Sequence, residues 1–359
     1  MGEIAWRCDP DPSGSLLARI PFVRYDLGKQ ATHAKQGETI MTSNFGRRGV
    51  LQAGAAMLGV ALLPGKSRAQ AQKDGDGKAA YEFMVRDLVY QRNGGKPRLA
   101  RLYQPSGNGP FPAVLQIHGG AWTNKNRTDG QNTALDLAAA GIVVLSIDFR
   151  NSPEAPYPAS LQDINLGIRW LKAHASEFGS SADRVGAYGT SSGGHQILLA
   201  AIRPDDPRYR ALPLPEAPEM DARLAFVVSG WGVLFPLERY KLAKAQGRPD
   251  LAQNHDTFFG DEATQLEATP ALVIERGEKV YLPPALVFQG TKDEWTTVEL
   301  AQRFAADYRG AGGTLDLQLL EGERHTFVNE HPFAPNSIKA VDMTIAFAKK
   351  YGSPRQAQR

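Results

Sequence analysis

The chain has 359 residues, 42% hydrophobic and 22% charged, the balance of an ordinary globular protein with room for one large α/β domain or two modest ones. Its formal charge of +3 does not mark a nucleic-acid binder, because residues 1–71 carry nine basic and five acidic side chains while the 288 residues that follow carry 32 and 33. The one cysteine, Cys8, lies in that first stretch, which excludes from the body a disulfide framework, a thiolate-bound metal and a cysteine nucleophile.

Residues 41–71 read MTSNFGRRGVLQAGAAMLGVALLPGKSRAQA. Arg47-Arg48 precede a weakly apolar run ending at Leu63, too short to span a membrane. A Pro64-Gly65 break, Lys66 and the Ala69-Gln70-Ala71 cleavage pattern follow. In this order the three regions resemble a bacterial twin-arginine export signal. The expected product is periplasmic or secreted, without stable membrane insertion once the signal is cleaved. Residues 1–40, upstream of Met41, are expected to be an over-extended start or a disordered extension. Residues 72–359 are expected to form one domain.

In that domain, YEFMVRDLVYQ and KPRLARLYQP flank Asn93-Gly94-Gly95 and predict a hairpin. PAVLQIHGG and IVVLSIDFR are short apolar runs of buried-strand type, separated by a helical TALDLAAAG. Leu161, Ile164, Ile168 and Leu171 have helical spacing in a segment closed by Gly179. RVGAYGTSS is another core strand and leads into a helix starting near Ser192. LAFVVSGW, PPALVFQGTKD and LDLQLLEGERH complete the strands, with a helix from Val298 between the last two and a terminal helix from Ser337. Hairpin first, then strands alternating with helices, predicts an α/β fold: a mostly parallel sheet covered on both faces. Two long proline-rich or polar segments, 203–222 and roughly 232–283, are expected to form a small loop lid over the strand ends.

The chemistry concentrates in Gly189-Thr190-Ser191-Ser192-Gly193, a G-x-S-x-G directly between a strand and a helix, where a nucleophile elbow belongs. Only small residues fit two places either side of the nucleophile, and the glycines flank Ser191, not Ser192. Ser191 is therefore the candidate nucleophile and Ser192 a candidate backbone N–H donor to an oxyanion. A serine hydroxyl needs a base, and the base needs an acid to orient it. In the chain order serine, acid, histidine, the candidates are Asp293, with Glu294 competing, and His325, with His331 competing; both follow core strands at the same sheet edge as Ser191. His118-Gly119-Gly120-Ala121-Trp122 supplies the rest of an oxyanion hole from the N–H groups of Gly119, Gly120 and Ala121. His118 is expected to brace this loop, His195 to pack beneath the elbow, and Trp122 and Trp231 to line the substrate pocket.

Together HGGAW, DFRNSPEAPYPASLQD, GTSSGGH, GTKDEW and GERHTF resemble the α/β-hydrolase fold. The likeness is greatest to its bacterial carboxylesterases of the hormone-sensitive-lipase-like and feruloyl- or acetylxylan-esterase-like kind. It covers roughly residues 80–350. Ala121 replaces the third glycine of the common HGGG loop, and no long amino-terminal cap helices are evident, which favours a smaller esterase or formamidase over a lipase. The resemblance implies that Asp148, Arg150 and Glu154 steady the oxyanion loop. It implies a serine carboxylesterase acting on small esters through an acyl-enzyme, with no metal and no cofactor. An amidase, arylformamidase or peptidase using the same triad is the alternative, and a non-catalytic ligand-binding relative a second. Acyl preference, alcohol preference and oligomeric state stay open.

Overall fold

The computed structural model describes residues 80–92 and 96–353; the expected export signal, the stretch before it and the expected turn at Asn93–Gly95 lie outside the described residues. Strands β1 (Phe83–Gln91) and β2 (Arg98–Pro105) pair antiparallel, with a register shift between Val89 and Gln91. Then come β3 (Ala113–Ile117), β4 (Val143–Ile147), β5 (Val185–Thr190), β6 (Val227–Gly230), β7 (Ala285–Gly290) and β8 (Leu315–Leu320). The eight form one sheet in the order β1-β2-β4-β3-β5-β6-β7-β8; β2 meets β4 antiparallel and β3 to β8 run parallel.

Strands buried on both faces read as unbroken apolar runs, yet their side chains still alternate. Ala113, Leu115, Val143 and Leu145 enter one core, while Val114, Val144 and Tyr103 enter the other. Helices α1 (Gln131–Ala139) and α9 (Pro335–Tyr351) close the second core. The first is closed by α2 (Ala159–Ala173), α3 (Ser192–Ile202) and α8 (Val298–Gly310). The predicted apolar stripe of α2 is fully buried, but the helix stops at Ala173 instead of running to Gly179. A tighter 3₁₀ turn, Ala175–Phe178, follows and carries both Ala175 and Phe178 into the core before Gly179 reverses the chain at φ 75°.

The lid expectation needs correcting in kind. Residues 203–222 are turns, but the segment after β6 folds into four short helices: α4 (Pro236–Ala245), α5 (Pro249–Phe259), α6 (Glu262–Glu267) and α7 (Pro270–Glu275). Three of them begin on a proline. Proline is suited to a first helical turn, where its missing N–H would have had no partner. The prolines that read as loop markers are helix starts. This helical insertion docks on the loops leaving β3 and β4, through Tyr157 N–H to Phe258 O at 2.9 Å and Thr123 Oγ1 to Asn254 Oδ1 at 3.2 Å.

An aromatic layer lies under it. Trp122 stacks on Phe258 with centroids 5.4 Å apart and meets His255 and Phe259 edge-on. The Trp122 indole N–H donates to His195 Nδ1 at 3.1 Å, and His195 Nε2 donates to Ala268 O at 2.7 Å. One buried imidazole thus ties the β3 loop, α3 and the insertion together. Burial pushes His195 down to about 4 and His255 to about 3. Beneath β4, Asp163 of α2 is completely buried and accepts from Arg150 N at 2.8 Å, Nε at 2.9 Å and Nη2 at 2.8 Å, and from Gln91 Nε2 at 3.0 Å.

Two expectations follow for stability. Asp163→Ala leaves the Arg150 guanidinium without its carboxylate and costs about 3 kcal/mol, read as a lower urea midpoint; an unchanged midpoint would show the pair to be idle. The two histidines, neutral when folded, protonate near pH 6.5 once unfolded, so the unfolded chain binds more protons below that pH. Stability therefore falls as pH drops from about 6.5 toward 4, and in His195→Gln the difference between urea midpoints at pH 7.5 and 4.5 is smaller than in the wild type.

Candidate active site

Ser191 stands where β5 turns into α3, with φ 52° and ψ −121°. Few side-chain-bearing residues accept a positive φ, and this one is over-determined by its backbone. Ser191 N–H donates to Gly230 O at 2.9 Å, while Ser191 O accepts from His195 N–H at 3.1 Å and Val233 N–H at 3.2 Å. The turn closes only because its flanks lack Cβ atoms. A Cβ at Gly193 would strike the backbone oxygens of Ile117 and His118, and one at Gly189 would strike the Gly193 carbonyl.

His325 and Asp293 arrive from the loops after β8 and β7. His325 Nε2 is 2.9 Å from Ser191 Oγ, and His325 Nδ1 is 2.8 Å from Asp293 Oδ2. A carboxylate only accepts, so Nδ1 carries the proton and Nε2 turns a lone pair toward the serine hydroxyl. Asp293 also accepts from Trp295 N at 2.8 Å, Thr296 N at 3.0 Å, Thr296 Oγ1 at 2.7 Å and Gln289 Nε2 at 2.8 Å. Burial would raise the Asp293 carboxyl, but these hydrogen bonds and His325 outweigh it and hold it below its ordinary value. For His325 burial is the largest influence and lowers it; Asp293 opposes, and the net shift is downward. The competitors go elsewhere: Glu294 is exposed and paired with Arg324, and His331 is exposed.

The HGGAW loop folds against the same serine. A Cβ on Gly119 would lie 3.3 Å from Ser191 Cβ. Gly120, Ala121 and Trp122 follow at φ 106°, 50° and 64°, a tight left-handed run. The N–H groups of Gly120 and Ala121 have no acceptor among the described residues. His118 Nδ1 donates to Gly119 O at 2.7 Å, and its ring stacks on Phe149 at 4.3 Å. Asp148 holds the far side of the loop through Arg127 N at 2.7 Å and Arg127 Nη1 at 2.9 Å. Arg150 pairs instead with Asp163, and Glu154 with Arg98.

Three features were not read from the sequence. The Ser192 hydroxyl accepts from Trp122 N–H at 3.2 Å, so the side chain of this residue is committed to the loop. Trp295 lies 4.6 Å from the His325 ring. Trp122 and Trp231, expected to line the pocket, are 1% and 0% exposed. Trp122 is consumed by the aromatic layer, and Trp231 packs between Phe288 and Phe327 with its edge toward His325 at 6.4 Å. Position at a strand end was legible for both tryptophans; the direction of the ring was not.

Comparison with known proteins now bears on this arrangement. The chain is 31% identical over 265 residues to the carboxylic ester hydrolase LipN of Mycobacterium tuberculosis, covering 69% of this chain and 65% of LipN. It is 29% identical to the probable carboxylic ester hydrolase LipM of the same organism over 56% of this chain and 46% of LipM. It thus spans roughly half to two thirds of these curated relatives. Among solved structures, a hyperthermophilic esterase from Pyrobaculum calidifontis superposes with TM-score 0.61 at 22% identity, covering 74% of this chain and 85% of that one. EstE1, a thermostable carboxylesterase cloned from a metagenomic library, gives 0.63 at 22%, covering 80% and 95%. These likenesses fix the fold as that of the α/β-hydrolases. The BD-FAE family model matches residues 101–307, from β2 through most of α8, and with more than half its length matched the chain belongs to the BD-FAE family.

Proposed function

We propose that this chain is a serine carboxylesterase that hydrolyses small carboxylic esters through an acyl-enzyme. The observation that carries the reading is the run Ser191 Oγ, His325, Asp293, with contacts of 2.9 and 2.8 Å, beside a loop with unused backbone donors. His325 Nε2 takes the Ser191 proton as Oγ attacks the ester carbonyl, and Asp293 stabilises the imidazolium that results. The N–H groups of Gly119, Gly120, Ala121 and Ser192 surround the developing oxyanion, where one donor is worth roughly 3 kcal/mol. The imidazolium returns its proton to the leaving alcohol. A water, deprotonated by the same ring, then releases the acid. Relatives named as carboxylic ester hydrolases support an ester as the substrate.

The reaction needs neutral His325, whose pKa lies below the ordinary histidine value. Activity is therefore retained as pH falls past 6.5 and lost only as the ring protonates below it, giving an acid limb in kcat/KM with its midpoint under 6.5. Ser191→Ala lowers 4-nitrophenyl acetate turnover by about 10⁶ and Asp293→Asn by about 10⁴. Full activity in Ser191→Ala removes the proposal, and faster turnover of 4-nitroanilides than of esters turns it into an amidase.

The amino-terminal segment supports a second element of the reading, export by the twin-arginine route. Arg47-Arg48, the short apolar run and Ala69-Gln70-Ala71 place the mature start near Gln72. Sequencing the amino terminus of periplasmic protein checks this: a start near Gln72 is expected, with accumulation in the cytoplasm when Arg47 and Arg48 are both changed to lysine. A start upstream of residue 60 overturns the cleavage assignment.

A further inference from the structure

Buried bases in this fold are matched by acceptors. Arg169 donates to Asn165 Oδ1 and Leu212 O, Lys172 to Asp221 and Arg223 O, and Arg184 to Pro110 O, while Arg203 pairs with Glu267 and Glu278. Arg239, buried on α4, differs: its Nε and Nη1 have no hydrogen-bond partner among the described residues. Its guanidinium lies over the Trp122 ring, 5.3 Å from the centroid. Burial lowers it to about 10, so it stays charged at neutral pH. A buried cation with unpaired donors is expensive to fold, and a cation–π contact recovers only part of that cost.

An acceptor in need of a donor shares a small cavity with it. Gln289, buried on β7, spends its amide hydrogens on Asp293 Oδ2 at 2.8 Å and Thr296 O at 2.7 Å. A carboxylate and a carbonyl only accept, so the carboxamide has one sensible orientation and Oε1 faces away from both. Oε1 lies 3.4 Å from Thr296 Oγ1, but that hydroxyl has one proton and gives it to Asp293 Oδ2 at 2.7 Å. Arg239 and Gln289 line the cavity together with Trp295 and Thr296, which also donate to Asp293. Phe235 and Leu300 form its apolar side, and its free volume is about 10 Å³, room for a single water. Arg239 Nε and Nη1 with Gln289 Oε1 supply the about three hydrogen bonds that a buried water makes.

We propose that Arg239 is a positioning residue for Asp293, acting through one water held between its guanidinium and Gln289 Oε1. The water accepts from Arg239 and donates to Oε1, which keeps Gln289 Nε2 turned toward the carboxylate. The effect on turnover rests on the esterase reading above; the water contact does not. Arg239 also bears on the base by charge. The groups that act on it are Asp293, Arg248 and Asp250, and it in turn acts on the neutral imidazoles of His195 and His255. At His325, Asp293 and Glu330 favour the protonated ring and Arg239 opposes it. Loss of the Arg239 charge therefore moves protonation of His325 to higher pH.

A high-resolution crystal structure of the wild type, which needs no turnover, is expected to show one water within about 3.2 Å of an Arg239 nitrogen and of Gln289 Oε1. The kinetic test is a double-mutant cycle on 4-nitrophenyl acetate. Arg239→Met is expected to lower kcat about tenfold with KM little changed, and to move the acid limb of kcat/KM to higher pH. Arg239→Lys, which keeps the charge, is expected to hold the limb in place and recover part of kcat. In an Asp293→Asn background Arg239→Met is expected to cost less than about twofold, because its effect runs through the carboxylate. A cavity without water, or a tenfold cost that persists in Asp293→Asn with an unmoved limb, overturns the proposal and leaves the esterase intact. Full activity in Ser191→Ala overturns the esterase reading instead, and a water seen between Arg239 and Gln289 then still upholds the contact. The crystal structure and the lysine variant keep the test decisive even if the methionine variant fails to fold.

Discussion

Ser191 holds a left-handed backbone conformation that costs a side-chain-bearing residue about 1–3 kcal/mol, and the architecture on either side of it exists to keep it there. β5 delivers the chain to the turn and α3 carries it away. The hydrogen bonds from Ser191 to Gly230, and to it from His195 and Val233, leave no neighbouring conformation with the same bonds satisfied. The close approach of Gly193 to the carbonyls of Ile117 and His118 has a second effect. It brings the end of β3, and hence the HGGAW loop, within van der Waals reach of the serine. The strained turn and the donor loop are therefore one packed unit, and neither can move without opening the other.

That unit is held from above by side chains as well as by backbone. His118, Trp122 and Ser192 each use a polar atom to fix the loop, and His195 passes the constraint on to the insertion through Ala268. The polar atom each of them uses is buried and partnered, so its removal would expose an unmatched donor or acceptor and not merely leave a gap. The insertion helices thereby become part of the site's rigidity, although none of them supplies a member of the serine–histidine–aspartate run.

Much of this was legible in the sequence because short-range rules govern it. The eight strand runs, the glycines around Ser191 and the order serine, aspartate, histidine depend on spacing along the chain and on what a tight turn can hold. The strand end points equally to Asp293 and its neighbour Glu294, and the geometry separates the two, one buried in hydrogen bonds and the other in a surface ion pair. What was not legible depends on long-range packing. The orientation of Trp122 is set by Phe258, 136 positions away, and the helical state of 236–275 is set by docking as much as by its own weak pattern. Prolines there suggested loops because a proline marks an interruption whether it lies outside a helix or opens one.

The electrostatics of His325 extend the part these buried groups play in the proposed chemistry. His325 is subject to two opposing influences, dehydration that disfavours its charged form and Asp293 that favours it. With dehydration ahead, the ring rests neutral and ready to accept a proton. Asp293 retains its charge in the same dry setting because His325, Trp295, Thr296 and Gln289 all donate to it. In the proposed reaction the imidazolium formed as Ser191 gives up its proton meets a counter-charge already oriented, with little rearrangement needed at that moment. Arg239 adds a further positive field that lowers His325 and favours ionised Asp293.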